Sequence, residues 1–524
     1  MKVLFVAMNE YRLWAAPRAA ELLERQWPGR FELRDYRTAD VNATPALADR
    51  LLADCDWADF AVLSSHGSIQ TLGCFTGVWE RLAGKKPVFF TTTMADELAE
   101  LTPELGLSPA DYTKMLMYFQ AGTPEDLAQL ILCAANACFG VTYPLLPPSP
   151  PRGQGVYTRE GFVPPETEAD YKERMSHESR PVIGVIVHDH YAKTGDMAHV
   201  DALLTAIETR GCVPYAIADS FASNEEEHMG LTCRMERAYR REDGTPIPDA
   251  LVVTYGFSIT TLSGQAYQAG RPPHSVFEKW GLPVIQALTT YFSWEEYRQD
   301  IRGLDLVSLP VCVYQPEFDG QLISVPIAVT ERDESGRKVL RPLPDRVERI
   351  AEMACRWAAL QRKPMCEKKI AVIFHNMPPR NDTIGSAHGL DTPESVYRIV
   401  GELEKQGLRL EHSFSSGAEI IGGIREAVTN DSRWLPPDGM LERAAAVVDR
   451  ELYKSWFDRL NQETREQMEK SWGPAPGGVM TSGGKIAIPG ILNGNLFIGL
   501  QPLRSSPEQA EALYHSTDST PPHS

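Results

Sequence analysis

Residues 368–400 read KKIAVIFHNMPPRNDTIGSAHGLDTPESVYRIV. The apolar run Ile370–Phe374 has the length and composition of a buried strand. A polar segment follows, with Pro378, Pro379, Gly385 and Gly389 set among His375, Arg380 and His388. It closes on Asp391-Thr392-Pro393-Glu394, a helix start signal in which a capping residue precedes a proline in the first turn. An amphipathic helix comes next. Strand, polar loop and helix N-terminus in this order make the edge at which open α/β sheets hold ligands. Ordinary strand-to-helix connections run to about two to six residues. This one is far longer, so it is expected to touch something besides its own elements.

Working outward, the 524 residues suggest about three domains at roughly 150 residues each. Residues 1–143 alternate apolar strand runs (2–7, 60–64, 87–92) with helical patterns (17–25, 76–83, 124–137) and predict an α/β head domain with a parallel sheet. Residues 144–180 carry Pro144, Pro147, Pro148, Pro150, Pro151, Pro164 and Pro165 among glycines, the composition of a semi-rigid linker. The alternation restarts in 181–345, a second α/β domain, with strands at 182–187, 213–216, 250–254 and 283–286 and a helix at 200–210. Its charged segment 224–248 reads as helix plus surface loop, and 331–338, ERDESGRK, as an exposed hairpin or loop. Residues 346–524 begin with a linking helix, 346–360, and continue into a third, mixed α/β region. That region holds the opening stretch, a helix at 393–406, a strand near 408, helices within 440–470 and a strand at 495–501. The expected fold class is therefore α/β, consecutive doubly wound parallel-sheet domains joined by a Pro-rich linker. No internal repeat of 20–50 residues is present.

Composition narrows the function classes. A net charge of -18 disfavours a general nucleic-acid binder and an anionic-membrane binder. The longest apolar runs, such as Pro87-Val88-Phe89-Phe90, are strand-length, so no membrane span is expected. The N-terminal run is too short for a signal peptide, and the nine scattered cysteines include no CxxC. Reduced, buried thiols in a cytoplasmic protein are the expectation. No GxxxxGK[ST] occurs, so the chain does not bind ATP through a P-loop.

Several residues could carry chemistry. His188-Asp189-His190 follow a predicted strand. In an extended segment the two imidazoles share a face and could capture a transition metal, or the three could simply belong to a polar loop. His375 and Asn376 stand where open sheets present ligand-binding groups; the imidazole could ligate a metal or accept a proton, or bond a neighbouring backbone group. Arg380, stiffened by two prolines, could grip a ligand carboxylate bidentately or close a salt bridge within the loop. Asp391 is placed to cap the following helix. In residues 316–320, PEFDG, Glu317 and Asp319 could form an acid/base or metal pair, but the Asp-Gly step favours a turn that puts Phe318 in the core. His66-Gly67-Ser68 forms another sheet-edge loop.

Several of these pieces, in order, carry a family resemblance. They are Val200-Asp201-Ala202-Leu203 with Ala206-Ile207-Glu208 and Arg210-Gly211, residues 316–320, residues 376–380, Ile384-Gly385, residues 389–393, Trp472-Gly473-Pro474, Pro489-Gly490, Gly494-Asn495 and Gly499-Leu500-Gln501-Pro502. On these residues the chain resembles the large subunit of cobaltochelatase, the CobN family, whose relatives include the porphyrin-binding subunit of magnesium chelatase. The resemblance covers most of the chain and is weakest before residue 180. It implies an ATP-dependent metal–tetrapyrrole chelatase, first of all cobalt insertion into a corrinoid ring in cobalamin biosynthesis. A subunit for magnesium or another metal, or a non-catalytic tetrapyrrole- or partner-binding scaffold, is the alternative. The implied substrates are Co2+ and a corrinoid or porphyrin. ATP and Mg2+ enter through partners, an AAA+ ATPase subunit and its companion with an integrin-like domain.

The resemblance places His375, Asn376, Arg380, Asp391 and Gln501 at the ring site, with His188 and His190 as the metal candidates. The family runs to well over twice this length and continues into an HGxxEWLPG-like motif tied to metal insertion. The chain is thus expected to be the N-terminal portion of such a subunit, with a third domain incomplete on its C-terminal side and inactive alone. It departs from the family pattern at Ser386-Ala387-His388 and at residues 503–507, LRSSP.

Overall fold

A computed structural model describes residues 1–8, 10–65, 67–92, 94–149, 153–220, 231–259, 275, 277–334, 338–431, 437–506, 509 and 520–523. The chain divides into two compact units, Met1–Gln361 and Arg362–Ser524.

Among the described residues the first unit holds two larger sheets and a two-stranded hairpin. In the first, β1 (Lys2–Ala7), β2 (Glu32–Arg37), β3 (Phe60–Ser64) and β4 (Val88–Thr91) run parallel in the order β2-β1-β3-β4. Val3, Phe5 and Ala7 enter a core with residues of the helices Glu10–Gln26, Pro109–Ala121 and Pro124–Phe139. Leu4 and Val6 point the other way, toward Pro45–Trp57 and Phe75–Leu82. Burial on both faces is why β1, β3 and β4 read as unbroken apolar runs. The polar edge strand β2, ELRDYR, gives no such signal.

The second sheet adds β5 (Gly155–Thr158), β6 (Gly161–Phe162), β7 (Val182–His188), β8 (Val213–Asp219), β9 (Ala250–Val253) and β10 (Val284–Gln286), in the order β10-β9-β7-β8-β5-β6. Strands β7 to β10 are parallel, and β5 and β6 join antiparallel. The stretch 144–180 was expected to form no element, yet from Gly155 it supplies β5, β6 and the helix Glu168–Ser176. Its prolines cluster at 144–151 and 164–165, which leaves the ladder positions of β5 and β6 free of them. Before that, the segment is strapped to the helix Pro124–Phe139. Tyr143 bonds Asn136, Leu146 N donates to Gln129, and Ser149 N donates to Asp126.

Ile183, Val185 and Val187 of β7 face a core shared with the helices Ala198–Thr209 and Pro344–Arg362. That second helix, read from sequence as leading into the next domain, buries Val347, Ile350, Ala354 and Ala358 against this sheet. Val182 and Ile186 face Tyr215, Met235 and Tyr239. Gly184 lies between them, where an added Cβ would come 2.6 Å from Leu251 and 3.1 Å from the Tyr239 ring. The expected hairpin is present as β11 (Ala328–Arg332) and β12 (Lys338–Pro342).

In the second unit, β13 (Ile370–Phe374), β14 (Ala446–Val448), β15 (Thr481–Ser482), β16 (Lys485–Ile488), β17 (Gly490–Asn493) and β18 (Leu496–Leu500) form two three-stranded sheets, β13-β18-β17 and β14-β16-β15. Only β13 and β18 are parallel. The helices Thr392–Lys405 and Gly417–Glu426 cover one face, on which Phe374, Ile498 and Leu500 are buried. No strand forms near Leu408. The Leu408 amide instead turns back to the Leu403 carbonyl, the Arg409 carbonyl accepts from the Asn495 amide, and the Asn493 side chain accepts from the amides of Glu411 and His412 and donates to the His412 carbonyl. All nine cysteines are free thiols. No described helix is long and apolar enough to cross a membrane.

Candidate functional site

Because β13 and β18 are parallel and in register, the residues that follow them leave the sheet side by side. The Gln501 amide donates to the Phe374 carbonyl at 2.8 Å. From this point 375–391 does not extend but folds back on itself. Gly385 N donates to His375 O (2.7 Å), and the Thr383 hydroxyl donates to the carbonyls of Pro378 (2.5 Å) and Arg380 (2.9 Å). Gly385 has φ +73°, and a Cβ there would stand 3.0 Å from the Phe374 ring, so the fold-back calls for glycine on both counts.

One buried amide pair ties the edge together. Asn376 is 4% exposed, and its Nδ2 donates to the Arg380 carbonyl at 2.9 Å. Its Oδ1 accepts from Asn430 Nδ2 at 3.1 Å, and the same Asn430 nitrogen donates to the Gln501 carbonyl at 2.9 Å. Asn430 therefore joins the loop after β13, the segment before residue 431 and the segment after β18. Nothing in the local sequence around Asn430 marks it, since its two partners lie 54 and 71 residues away.

Of the residues singled out from sequence, His375, Asn376, Arg380 and Gln501 come to this one edge. Asn376 spends its amide inside the loop. Arg380 is exposed and lays its guanidinium fork on Asp382, Nε to Oδ1 at 3.0 Å and Nη2 to Oδ2 at 3.1 Å. Asp391 accepts from Glu394 N at 3.1 Å and caps the helix Thr392–Lys405. His375 is exposed at the strand end, two residues from Ile373, which is 52% exposed on the same side of the strand. The outward surface is thus an imidazole, a guanidinium with an exchangeable carboxylate partner, and an apolar side chain. Such a set can hold an apolar body that carries carboxylates.

The other candidates resolve differently. The strand β7 ends at His188, and Asp189 opens the helix Asp189–Thr194, so His188 and His190 do not alternate along an extended segment as expected. Their rings stand 6.2 Å apart, edge to face. His188 Nδ1 lies 2.9 Å from the His190 amide and 3.1 Å from the Asp189 carboxylate; neutral, it accepts from the first, and protonated, it donates to the second. Burial by itself would raise the Asp189 carboxyl, but His188 and the Lys193 ammonium, 2.7 Å away, hold it well below the usual carboxylate range. Among the described residues, no group of three or more His, Cys, Asp or Glu is placed to hold a metal.

In residues 316–320 the expected turn forms at Asp319-Gly320, but it is Phe318 that is exposed, at 64%, and Asp319 that is buried, the reverse of the expected burial. The Asp319 carboxylate accepts from the Ser258 hydroxyl and the Ile259 amide, both at 2.8 Å, and so clamps the turn after β9. His66 lies outside the described residues. Sequence reasoning also passed over His199, which is fully buried against Tyr191 with neither ring nitrogen hydrogen-bonded. Burial pushes its pKa down to about 3. Its place on the apolar stripe with Leu203 and Ala206 was the available signal. A cleft of about 420 Å3 between the helices Arg450–Phe457 and Gln462–Trp472 sets Arg450, Lys454 and Arg465 against Asp458, Glu466 and Glu469, a balance that favours neither sign of ligand.

Residues 116–524 match the family model described as CobN/Magnesium Chelatase. An uncharacterized protein of Methanocaldococcus jannaschii is 34% identical over 419 residues, 78% of this chain and 34% of its own length. The aerobic cobaltochelatase subunit CobN of Pseudomonas aeruginosa is 28% identical over 429 residues, 80% of this chain and 32% of its own. The chloroplastic magnesium-chelatase subunit ChlH of Oryza sativa subsp. japonica is 28% identical over 358 residues, 68% of this chain and 24% of its own. The chain spans about a third of the length of the first two. Among solved structures, the catalytic subunit of cobaltochelatase from Mycobacterium tuberculosis superposes over 100% of this chain and 40% of its own, with a TM-score of 0.58 at 22% identity, which supports the mixed α/β fold.

Proposed function

Because the chain belongs to the CobN/magnesium chelatase family, we propose that it is the ring-holding portion of the large subunit of an ATP-dependent metal–tetrapyrrole chelatase. Its ring substrate is a corrinoid and its metal substrate Co2+, in cobalamin biosynthesis in the cytoplasm. ATP and Mg2+ are bound by separate subunits, an AAA+ ATPase and a companion with an integrin-like domain, and this chain supplies the ring-facing surface.

The convergence at the β13/β18 edge is the observation that supports this reading. Asn376 and Asn430 lock the loop and the Gln501 segment together and leave His375, Arg380 and Ile373 outward. In this proposal a peripheral carboxylate of the ring takes the place of Asp382 on the Arg380 fork. The apolar ring rests on Ile373, and His375 lies beside it, where a neutral imidazole can accept a pyrrole proton as the metal enters.

A second reading, a non-catalytic tetrapyrrole- or partner-binding scaffold, is favoured by the Arg380–Asp382 fork, which already satisfies the guanidinium within the loop. Fluorescence quenching by hydrogenobyrinate amide, protoporphyrin and sirohydrochlorin, with parent and Arg380→Ala, tests both. A charge-assisted pair is worth about 1.5–3 kcal/mol, so Arg380→Ala is expected to weaken the corrinoid about ten- to a hundredfold with an unchanged melting temperature. Equal binding by parent and variant would make the loop structural and remove this site.

A further inference from the structure

The Trp472-Gly473-Pro474 motif takes no part in the β13/β18 edge. It stands at the end of the helix Gln462–Trp472, where a separate stretch of the second unit, Thr520–His523, is laid against it. That stretch joins no helix or strand. Thr520 and Pro521 each precede a proline, which biases both toward the extended polyproline conformation. A chain in that conformation makes no hydrogen bonds within itself and leaves its carbonyls open to an outside donor.

The groove supplies that donor. Trp472 Nε1 donates to Thr520 O at 2.7 Å. Pro522 and His523 are buried. The His523 ring stands 5.1 Å from the Phe457 ring and, edge to face, 5.7 Å from that of Tyr453. With its Nε2–H on the Gly473 carbonyl at 3.0 Å, its Nδ1 accepts from the Tyr453 hydroxyl at 2.9 Å. Gly477 leaves the room for this ring: it has φ +68°, and a Cβ there would come 2.7 Å from His523. An indole donor, aromatic walls and a polyproline-biased segment are the parts of proline-rich peptide recognition.

The groove does not end at His523. Phe457, which packs on the His523 ring, also lines the open cleft of about 420 Å3 between the same two helices. Arg465 lines that cleft too, and its Nε is buried with no hydrogen-bond partner. Tyr453 and Phe457 face His523, while Leu452 and Trp456, the next stripe of the same helix, are 49% and 47% exposed. Thr520–His523 thus occupies only part of the surface that the two helices offer.

We infer that this groove is a docking site for a proline-rich segment of a partner polypeptide, a Pro-Pro-His sequence flanked by charged residues of both signs, and that Thr520–His523 fills its aromatic half in cis until such a segment displaces it. The mixed charge of the cleft suits no small ion of either sign, but it suits a peptide whose side chains carry both. Few contacts hold Thr520–His523, the condition under which a segment opens locally while the fold stays intact. The groove shares no residue with the β13/β18 edge, and its recognition does not depend on the chelatase reading.

The test is a fluorescence-anisotropy titration of the full chain with a labelled peptide of residues 519–524, Ser-Thr-Pro-Pro-His-Ser, capped at both ends. It compares the parent, His523→Ala, and His523→Ala combined with Trp472→Phe or Tyr453→Phe, each checked for a parent-like far-ultraviolet spectrum. His523→Ala loosens the segment held in cis and leaves the groove intact, so it should bind the peptide about three- to tenfold more tightly than the parent. Either second substitution keeps an aromatic ring and removes one donor, and should weaken the peptide about three- to tenfold again. A peptide with Ala-Ala-Ala in place of Pro-Pro-His should not bind. No saturable binding to His523→Ala up to millimolar peptide, equal binding of the alanine peptide, or unchanged affinity in both double variants overturns the docking site. Equal affinity of parent and His523→Ala overturns the filling of the groove in cis.

Discussion

His199 makes the stability of the first unit fall as the pH drops, in the same direction as its salt-bridged carboxylates do, but from a higher pH. Its ring is fully buried with no hydrogen-bond partner, and burial holds its folded-state pKa near 3, against a usual 6.5. In the unfolded chain the imidazole takes up a proton as the pH falls through 6.5. In the folded chain it stays neutral until about pH 3. Between those values the unfolded state binds more protons, so stability rises with pH and is lost as the pH drops. Linkage over this interval gives a loss of about 2 kcal/mol between pH 7 and pH 5, and about 3 kcal/mol by pH 4. His199→Leu removes the titrating group while filling similar space, and it also removes two unpaired polar atoms, so it should be neutral or stabilising at pH 7. Urea denaturation of parent and variant at pH 7 and pH 5 is the measurement. The stability gap should move by about 2 kcal/mol in the variant's favour at the lower pH, with contributions from other groups cancelling in the difference. Parallel pH dependences would show that His199 reaches water or a partner in solution, and the argument from burial would fail.

Three other outcomes follow from named contacts. Asn430→Ala strips Asn376 Oδ1 and the Gln501 carbonyl of a shared donor and should cost about 1–3 kcal/mol; a denaturation midpoint equal to the parent's would show that the clamp is dispensable. Gly184→Ala drives a methyl into Leu251, Pro248 and Tyr239 and should cost about 1–3 kcal/mol, with a melting temperature at or above the parent's ruling out the close packing described. Asp319→Ala releases the Ser258 hydroxyl and the Ile259 amide and should cost about 1.5–3 kcal/mol, and amide exchange at Ile259 should quicken; unchanged exchange would mean that other contacts hold the turn.

Among the strands that sequence reading located, β1, β3 and β7 are buried on both faces, where period and composition agree, whereas β13 leaves Ala371 and Ile373 exposed on one face and was located by its apolar run alone. β1, β3, β7 and β13 fall within a residue or so of the expected runs. The elements it missed are those whose partners are distant. β2 is polar because it lies at an edge, and β5 joins the second sheet by pairing with β8, about sixty positions downstream. Proline count suggested a linker at 144–180, but what decides whether a strand forms is where the prolines fall relative to the ladder positions. The expected strand near Leu408 fails for a related reason. Its apolar residue is buried, but its backbone is taken up by the Leu403 carbonyl, by the Asn495 amide and, at residues 411–412, by the Asn493 side chain, and the last two are partners that local pattern cannot reveal.

The candidate sites show the same limit more sharply. Sequence reading favours amides and carboxylates at sheet edges because those groups do chemistry. A long loop folded against a sheet, however, loses water from its own backbone donors and acceptors, and each needs a new partner. The nearest amide or carboxylate is then taken up in holding the loop, as Asn376 is at one edge and Asp319 at the other. The groups left to meet a ligand are the neighbours that this anchoring leaves exposed, His375 and Arg380 beside Asn376. If that division holds, substituting an anchor should lower stability and binding together, whereas substituting a displayed neighbour should lower binding alone. Melting and titration of Asn376→Ala beside Arg380→Ala put the two roles in one experiment. A loss of affinity in Asn376→Ala without any loss of stability would assign the amide to the ligand and reverse the division drawn from its hydrogen bonds.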